Sequence, residues 1–215
     1  QRQMCIRDRI YLEGERLVGR HLDTISETRP IFVLHASGHL ATVNGELLRR
    51  EEITAANPTP GIMLDEFGEP NGELQEPAAM SLASGQRMLR EGYASELAKW
   101  NYAYEARNAG HTLVTDLGTS SVDEQGVANW SAVTSHPDYP TRVMVAGSVF
   151  ATALPPEDIA RRVVQLRDNP PNDKLRFGII KLIIDGSIQG FTARLTWPYY
   201  FNPPAGNAEN CLLYT

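Results

Sequence analysis

From about residue 94 onward, apolar stretches of strand length alternate with amphipathic stretches of helix length. Few architectures accept that order. A strand, a helix and a second strand make the βαβ unit, so the alternation predicts a parallel sheet. Ser95 is placed to cap a helix that carries Leu97, Trp100 and Tyr104 at helical spacing and stops at Gly110. Residues 112–116 follow as a strand. Asp123 can cap a second helix with Val127, Trp130 and Val133, and residues 142–148 form the next strand. Pro155 and Pro156 open a third helix with Ile159, Val163 and Leu166 on one face, before a third strand at residues 177–185. The result is an α/β chain, either part of a (β/α)8 barrel or an open doubly wound sheet. In both, functional groups gather at the carboxyl ends of the strands, here Asp116, Ser148 and residues 181–185. No Gly-x-Gly-x-x-Gly follows a strand and no phosphate-binding Walker loop is present, so nucleotide binding has little support.

The third strand contains a chemical anomaly. Lys181 sits inside the apolar run FGIIKLIIDG at residues 177–186, which otherwise reads as a fully buried parallel strand. An ammonium group is rarely buried without a partner. Strict alternation places Lys181, Ile183 and Asp185 on one face. On the residues alone, the amine either pairs with Asp185 and stabilises the strand, or serves a site lined by that face.

The first part of the chain reads differently. Residues 10–90 hold turn signals at Asn57 through Gly61 and at Gly68 through Gly72, with short apolar pieces between them. Short strands and loops are expected there, as in a small accessory β-rich subdomain ahead of the partial barrel at residues 91–210.

Both ends read as sequencing adapter. Residues 1–8 are what CAG CGT CAG ATG TGT ATA AGA GAC encodes, and residues 211–215 are what TGT CTC TTA TAC ACA encodes. The second string is the reverse complement of part of the first, shifted in frame. Residues 1–9 and 211–215 are therefore set aside as artefact, and the remainder is expected to be an internal fragment of environmental origin. Both cysteines, Cys5 and Cys211, fall in these ends, which leaves no disulfide framework and no thiolate metal site. The formal charge of −6 becomes −8 once three Arg and one Asp of residues 1–9 are removed, with 17 basic and 25 acidic side chains remaining. An acidic chain without a basic stripe argues against nucleic acid as a partner. No apolar run approaches the roughly 18–20 residues needed to cross a membrane. A cytoplasmic protein is the expectation, with a leader left open.

Two segments carry a family resemblance. One is LDTISETRPIFVLHASGHLATVN at residues 22–44, followed by DEFGEPNGELQE at residues 65–76. The other is KLIIDGSIQGFTARL at residues 181–195. In order and length they resemble the amidohydrolase superfamily, in particular the YtcJ-like amidohydrolase 3 group that includes N-substituted formamide deformylases. The resemblance implies a metal-dependent (β/α)8 barrel with a small accessory β domain, of which this chain supplies strands two to four.

The resemblance also implies roles. A lysine on the fourth strand can be carboxylated in the wider superfamily and bridge two metals. A carbamate offers anionic oxygens where an ammonium would repel the ion. Lys181 is the candidate, with Asp185 beside it as a catalytic residue. A mononuclear site with an uncharged Lys181 is the alternative. The superfamily's His-x-His pair, its two later histidines and its last aspartate have no counterpart here, and no His-x-His occurs in the chain. His39, Asn44 and Arg194 are expected to contact substrate, with structural hydrogen bonding as the alternative for His39 and Asn44 and pairing with a local acid as the alternative for Arg194; His35 is expected to be structural. Asp116 either borders the site or caps a turn, and His21, His111 and His136 have no partner motif. The implied reaction is hydrolysis of carbon–nitrogen bonds in amides, formamides or cyclic amides by water on a divalent metal, zinc by default, in a mono- or binuclear site. The implied partner is a small-molecule amide, and a homo-oligomer is left open. The isolated chain is expected to be inactive and, with open strand edges, poorly soluble or partly folded. The competing readings are a barrel relative that binds a small ligand without metal, and a Schiff-base enzyme using Lys181.

Overall fold

The computed structural model describes residues 16–118, 120–149, 151, 154–188 and 192–196. The chain divides into two compact units, Gln1–Met88 with Ile184–Thr215, and Leu89–Ile183. The two terminal segments read as adapter lie outside the described residues.

The first unit is an antiparallel sheet with short helices. Its strands are β1 (Phe32–Leu34), β2 (Leu40–Val43), β3 (Ile62–Leu64) and β4 (Pro70–Gln75), in the order β1-β2-β4-β3. Helices α1 (Gly19–Asp23), α2 (Gly45–Arg50) and α3 (Glu76–Met80) are interspersed, and α4 (Ser84–Ala94) follows. The expected short strands are present; these helices were not expected. All four residues of β2 are buried. Ala41, Val43, Leu47, Ile53, Leu74, Ala79, Met80 and Ala83 form one apolar cluster.

The second unit realises the alternation. It runs α5 (Glu96–Asn108), β5 (Leu113–Asp116), α6 (Glu124–Thr134), β6 (Arg142–Ser148), α7 (Pro156–Asp168) and β7 (Leu175–Lys181). The strands form a parallel sheet in the order β5-β6-β7. The caps act as anticipated: Ser95 Oγ accepts from Ala98 N at 3.2 Å, and Asp123 Oδ1 accepts from Gly126 N at 2.8 Å. Ile159, Val163 and Leu166 of α7 join Val143 and Val145 of β6 and Leu175 and Phe177 of β7 in the core.

Two expectations fail in this unit. Helix α5 buries Lys99, Ala103 and Ala106, whereas Leu97 is 69% exposed. Small alanines let the helix approach closely, and the larger rings take the rim. There Trp100 stacks on Tyr104 at 5.7 Å and meets Tyr139 edge-on at 5.1 Å. The Lys99 amine sits 5.3 Å from the centre of the Trp130 ring and donates to the Ala94 carbonyl. Burial lowers its pKa, and the nearby Asp116 and Glu96 charges partly offset that.

The second failure is β7. It stops at Lys181, not at residue 185, and only its first half is buried. Leu182 is 63% exposed. Among the described residues β7 is an edge strand, so the apolar run has helices on one side and no further strand beside it. Asp185 therefore does not share a strand face with Lys181.

Candidate functional site

The carboxyl ends of β5, β6 and β7 hold the first candidate group. Its geometry depends on a bulge. Val145 pairs with Phe177 and Ala146 pairs with Ile179, so Gly178 is an extra residue in β7. Gly178 has φ +147°, a conformation that only glycine adopts readily.

The bulge reverses which way the end of the strand faces. Leu175 and Phe177 point into the core with α7. Uninterrupted alternation would turn Lys181 the same way, toward the helices. With Gly178 skipped, Ile180 pairs with Gly147 and Lys181 pairs with Ser148. Gly147 faces α7, because a Cβ there would meet Val163 Cγ2 at 2.5 Å and Ile159 Cγ2 at 2.9 Å. Ser148 and Lys181 therefore take the opposite face. There a Cβ on Gly118 would lie 3.4 Å from Ser148 Oγ and 4.0 Å from Lys181 Cγ. Gly118, Ser148 and Lys181 thus converge on one side of the sheet. Replacing Gly178 by alanine is expected to cost about 1–3 kcal/mol, because the left-handed conformation must be kept or the bulge lost. Urea unfolding checks this, and unchanged stability would show that the bulge does not depend on glycine.

Asp116 belongs to the other face. It pairs with Val145, which lies in the helix-side core. Its Oδ1 accepts the Gly118 backbone N–H at 3.1 Å. This is the turn-capping arrangement, and it also holds Gly118 in place.

The second candidate group lies in the first unit. His39 Nδ1 is 2.8 Å from Glu76 Oε2, and the Glu76 backbone N–H donates to the His39 carbonyl at 2.7 Å. Next to Glu76 is the turn that begins the Asp-Gly-Ser segment. Asp185 Oδ2 accepts from Arg194 N at 3.0 Å, and Thr192 Oγ1 accepts from Ser187 N at 2.8 Å. A Cβ on Gly186 would come within 2.5 Å of Glu76 Oε1 and would also collide with Thr192 Oγ1. The glycine is thus required by the close approach of the Thr192 backbone carbonyl, 2.5 Å from such a Cβ, with the carboxylate packed beside it. The histidine segment and the Asp-Gly-Ser segment meet here at Glu76, which lies 37 residues after His39 and more than a hundred before Gly186.

The remaining expected residues divide clearly. Asn44 is fully buried. Its Oδ1 accepts from Ile31 N at 2.9 Å and from Leu47 N at 3.2 Å, and its Nδ2 donates to Ser26 O and Arg29 O at 2.8 and 2.9 Å. All four amide positions are used, so Asn44 caps α2 and pins the loop before β1. His35 Nε2 is 2.8 Å from Thr42 Oγ1 in a buried contact, the structural role anticipated for it. Arg194 joins the turn through its backbone N–H. Sequence reasoning missed Glu73, which is fully buried, pairs with Arg16, and accepts from Gln75 Nε2 at 2.9 Å.

Among the described residues, no cluster of three His, Cys, Asp or Glu side chains could hold a metal ion. Lys181 is the one expected metal ligand in the chain, and it fits that role only as a carbamate contributing to a larger donor set. The described helices include none long and apolar enough to cross a membrane.

An α/β unit with site groups at the carboxyl ends of parallel strands defines a broad class of enzymes and their relatives. This chain belongs to the amidohydrolase family, whose sequence model matches residues 12–210. It is 27% identical over 202 residues to the exoenzymes regulatory protein AepA of Pectobacterium carotovorum subsp. carotovorum, covering 91% of this chain and 41% of that protein. Among solved structures, an uncharacterized metal-dependent hydrolase from Pyrococcus horikoshii matches with a TM-score of 0.49 at 21% identity, over 86% of this chain and 35% of that one. A counterpart from Pyrococcus furiosus gives 0.44 at 19% identity, over 86% and 36%. The chain thus spans well under half the length of each relative.

Proposed function

We propose that the chain is part of a metal-dependent amidohydrolase that hydrolyses carbon–nitrogen bonds in non-peptide amides, formamides or cyclic amides. The observation that carries this reading is the Gly178 bulge. It turns Lys181 away from the helices to the end of the parallel strands, beside Ser148 and a glycine that leaves space. Membership of the amidohydrolase family supports the same reading. The whole site is a (β/α)8 barrel in this proposal, with the remaining ligands supplied by parts of the protein outside this chain. A divalent metal, zinc by default, would lower the pKa of bound water to about 7 and polarise the carbonyl. Lys181 would offer it carbamate oxygens; Asp185 and Thr192 shape the turn that carries Arg194, the candidate for a substrate carbonyl or carboxylate.

The test uses the full-length protein. Metal content is measured first, then hydrolysis of N-alkylformamides and cyclic amides before and after chelation. Activity that disappears with the metal and returns on its re-addition is expected. Tightly bound metal without hydrolysis of any such amide would remove the substrate class. Absence of bound metal would favour the second reading, a non-catalytic relative that binds a small molecule. That reading has one observation in its favour, the regulatory name carried by the Pectobacterium relative.

A further inference from the structure

Glu76 has an unusual backbone. Its φ is +63°, in the left-handed region where side chains other than glycine are uncommon. The other such residue, Glu52 at +52°, sits two positions after the end of α2, where helices often turn left-handed. Glu76 has no such excuse, since it stands where β4 passes into α3. Glycine would adopt this conformation without strain. A carboxylate kept there points to a use for the side chain.

The side chain has two oxygens with different surroundings. Oε2 meets His39 Nδ1 at 2.8 Å, whereas Oε1 is buried and makes no hydrogen bond to any described residue. An ionised carboxylate can only accept, so His39 Nδ1 must be the donor. In the neutral imidazole the other nitrogen, Nε2, is then an acceptor. The His39 side chain is 23% exposed and that of Glu76 34% exposed, so both are open to small molecules.

We propose that Glu76 is a positioning residue that sets the polarity of the contact His39 makes. It fixes the Nδ1–H form, so Nε2 receives a hydrogen bond from the ligand instead of giving one. The ligand group facing His39 is therefore an N–H or O–H donor, such as a secondary amide or an amine, and not a carbonyl or carboxylate oxygen. The donor-group assignment rests on the amidohydrolase reading; the fixed form of the ring does not.

The experiment is done on the full-length protein labelled with nitrogen-15 histidine, at pH 8.5, where an ordinary imidazole is neutral. His39 is assigned by loss of its signals in His39→Gln. Wild type is expected to show a protonated Nδ1 and a bare Nε2. Glu76→Gly, which relieves the backbone and so should fold, is expected to lose that fixed form. A bare Nδ1 in wild type, or a ring unchanged in Glu76→Gly, overturns the proposal. A second measurement compares substrates. Glu76→Gly is expected to raise KM about tenfold for secondary amides, the worth of one good hydrogen bond, with little effect on N,N-disubstituted amides and little on kcat, whereas Glu76→Gln, whose amide oxygen can still accept from Nδ1–H, is expected to keep KM near that of wild type. Equal effects on both amide classes overturn the donor-group assignment. If no amide is hydrolysed by wild type, the amidohydrolase reading fails while the ring measurement still decides the role of Glu76.

Discussion

Glu73→Ala is expected to weaken the first unit by about 3–5 kcal/mol, the usual loss when one partner of a buried ion pair is removed. Glu73 is fully buried in β4, its carboxylate paired with Arg16 and bonded by Gln75. Alanine would leave a guanidinium, itself largely covered, without its counter-charge. Hydrogen exchange of the β2 and β4 amides measures this directly, as a drop in protection of about two to four powers of ten. A double change, Arg16→Met with Glu73→Leu, removes both charges together and is expected to recover most of the loss. If the double variant is as weak as the single one, burial of the carboxylate matters for a reason other than the pair.

Lys181 carries the largest expected effect on activity. In the full-length protein, Lys181→Ala is expected to lower kcat/KM by at least about 100-fold. That is the upper end of the loss caused by removing an outer partner of a metal ligand, and Lys181 is proposed to be a ligand itself. Lys181→Arg is the sharper variant. It keeps a cation on the strand, so it preserves any purely electrostatic role, yet it has no amine to carry a carbamate. It is expected to fail as completely as alanine, with bound metal reduced in both. Arginine working nearly as well as lysine would rule out the carbamate.

What could be read in advance was local. The starts of α5, α6 and α7 follow from Ser95, Asp123 and Pro156, each acting within one helical turn. The parallel sheet followed from alternation, and the structural role of His35 from its weak motif. The exposed side of α5 was misjudged because large rings seemed better core than Lys99 and two alanines. Close packing reversed that preference. Glu73 and Glu76 were passed over because their partners, Arg16 and His39, lie 57 and 37 residues away. An acid in a strand declares itself buried only through such a partner. The one local sign, for Glu73 alone, was alternation in β4, which sets Glu73 and Gln75 on the face opposite Leu74. The face taken by Lys181 was out of reach for a different reason. Its side depends on a single unpaired glycine, and an apolar run containing Gly178 looks the same with or without a bulge.

That glycine also governs which changes of length β7 can tolerate. Deleting Gly178 would remove the bulge and restore simple alternation with the same partners, so the amine would stay beside Ser148. Inserting one residue between the bulge and Lys181 would instead turn the amine into the helices. A two-residue change would keep the side but move the amine out of line with Ser148. This strand can therefore exchange side chains along its outer face, or lose the bulge residue, far more freely than it can gain a single residue. Relatives that use the lysine should show substitutions there, a one-residue gap at Gly178 where the bulge is absent, and insertions only before Leu175 or after Lys181.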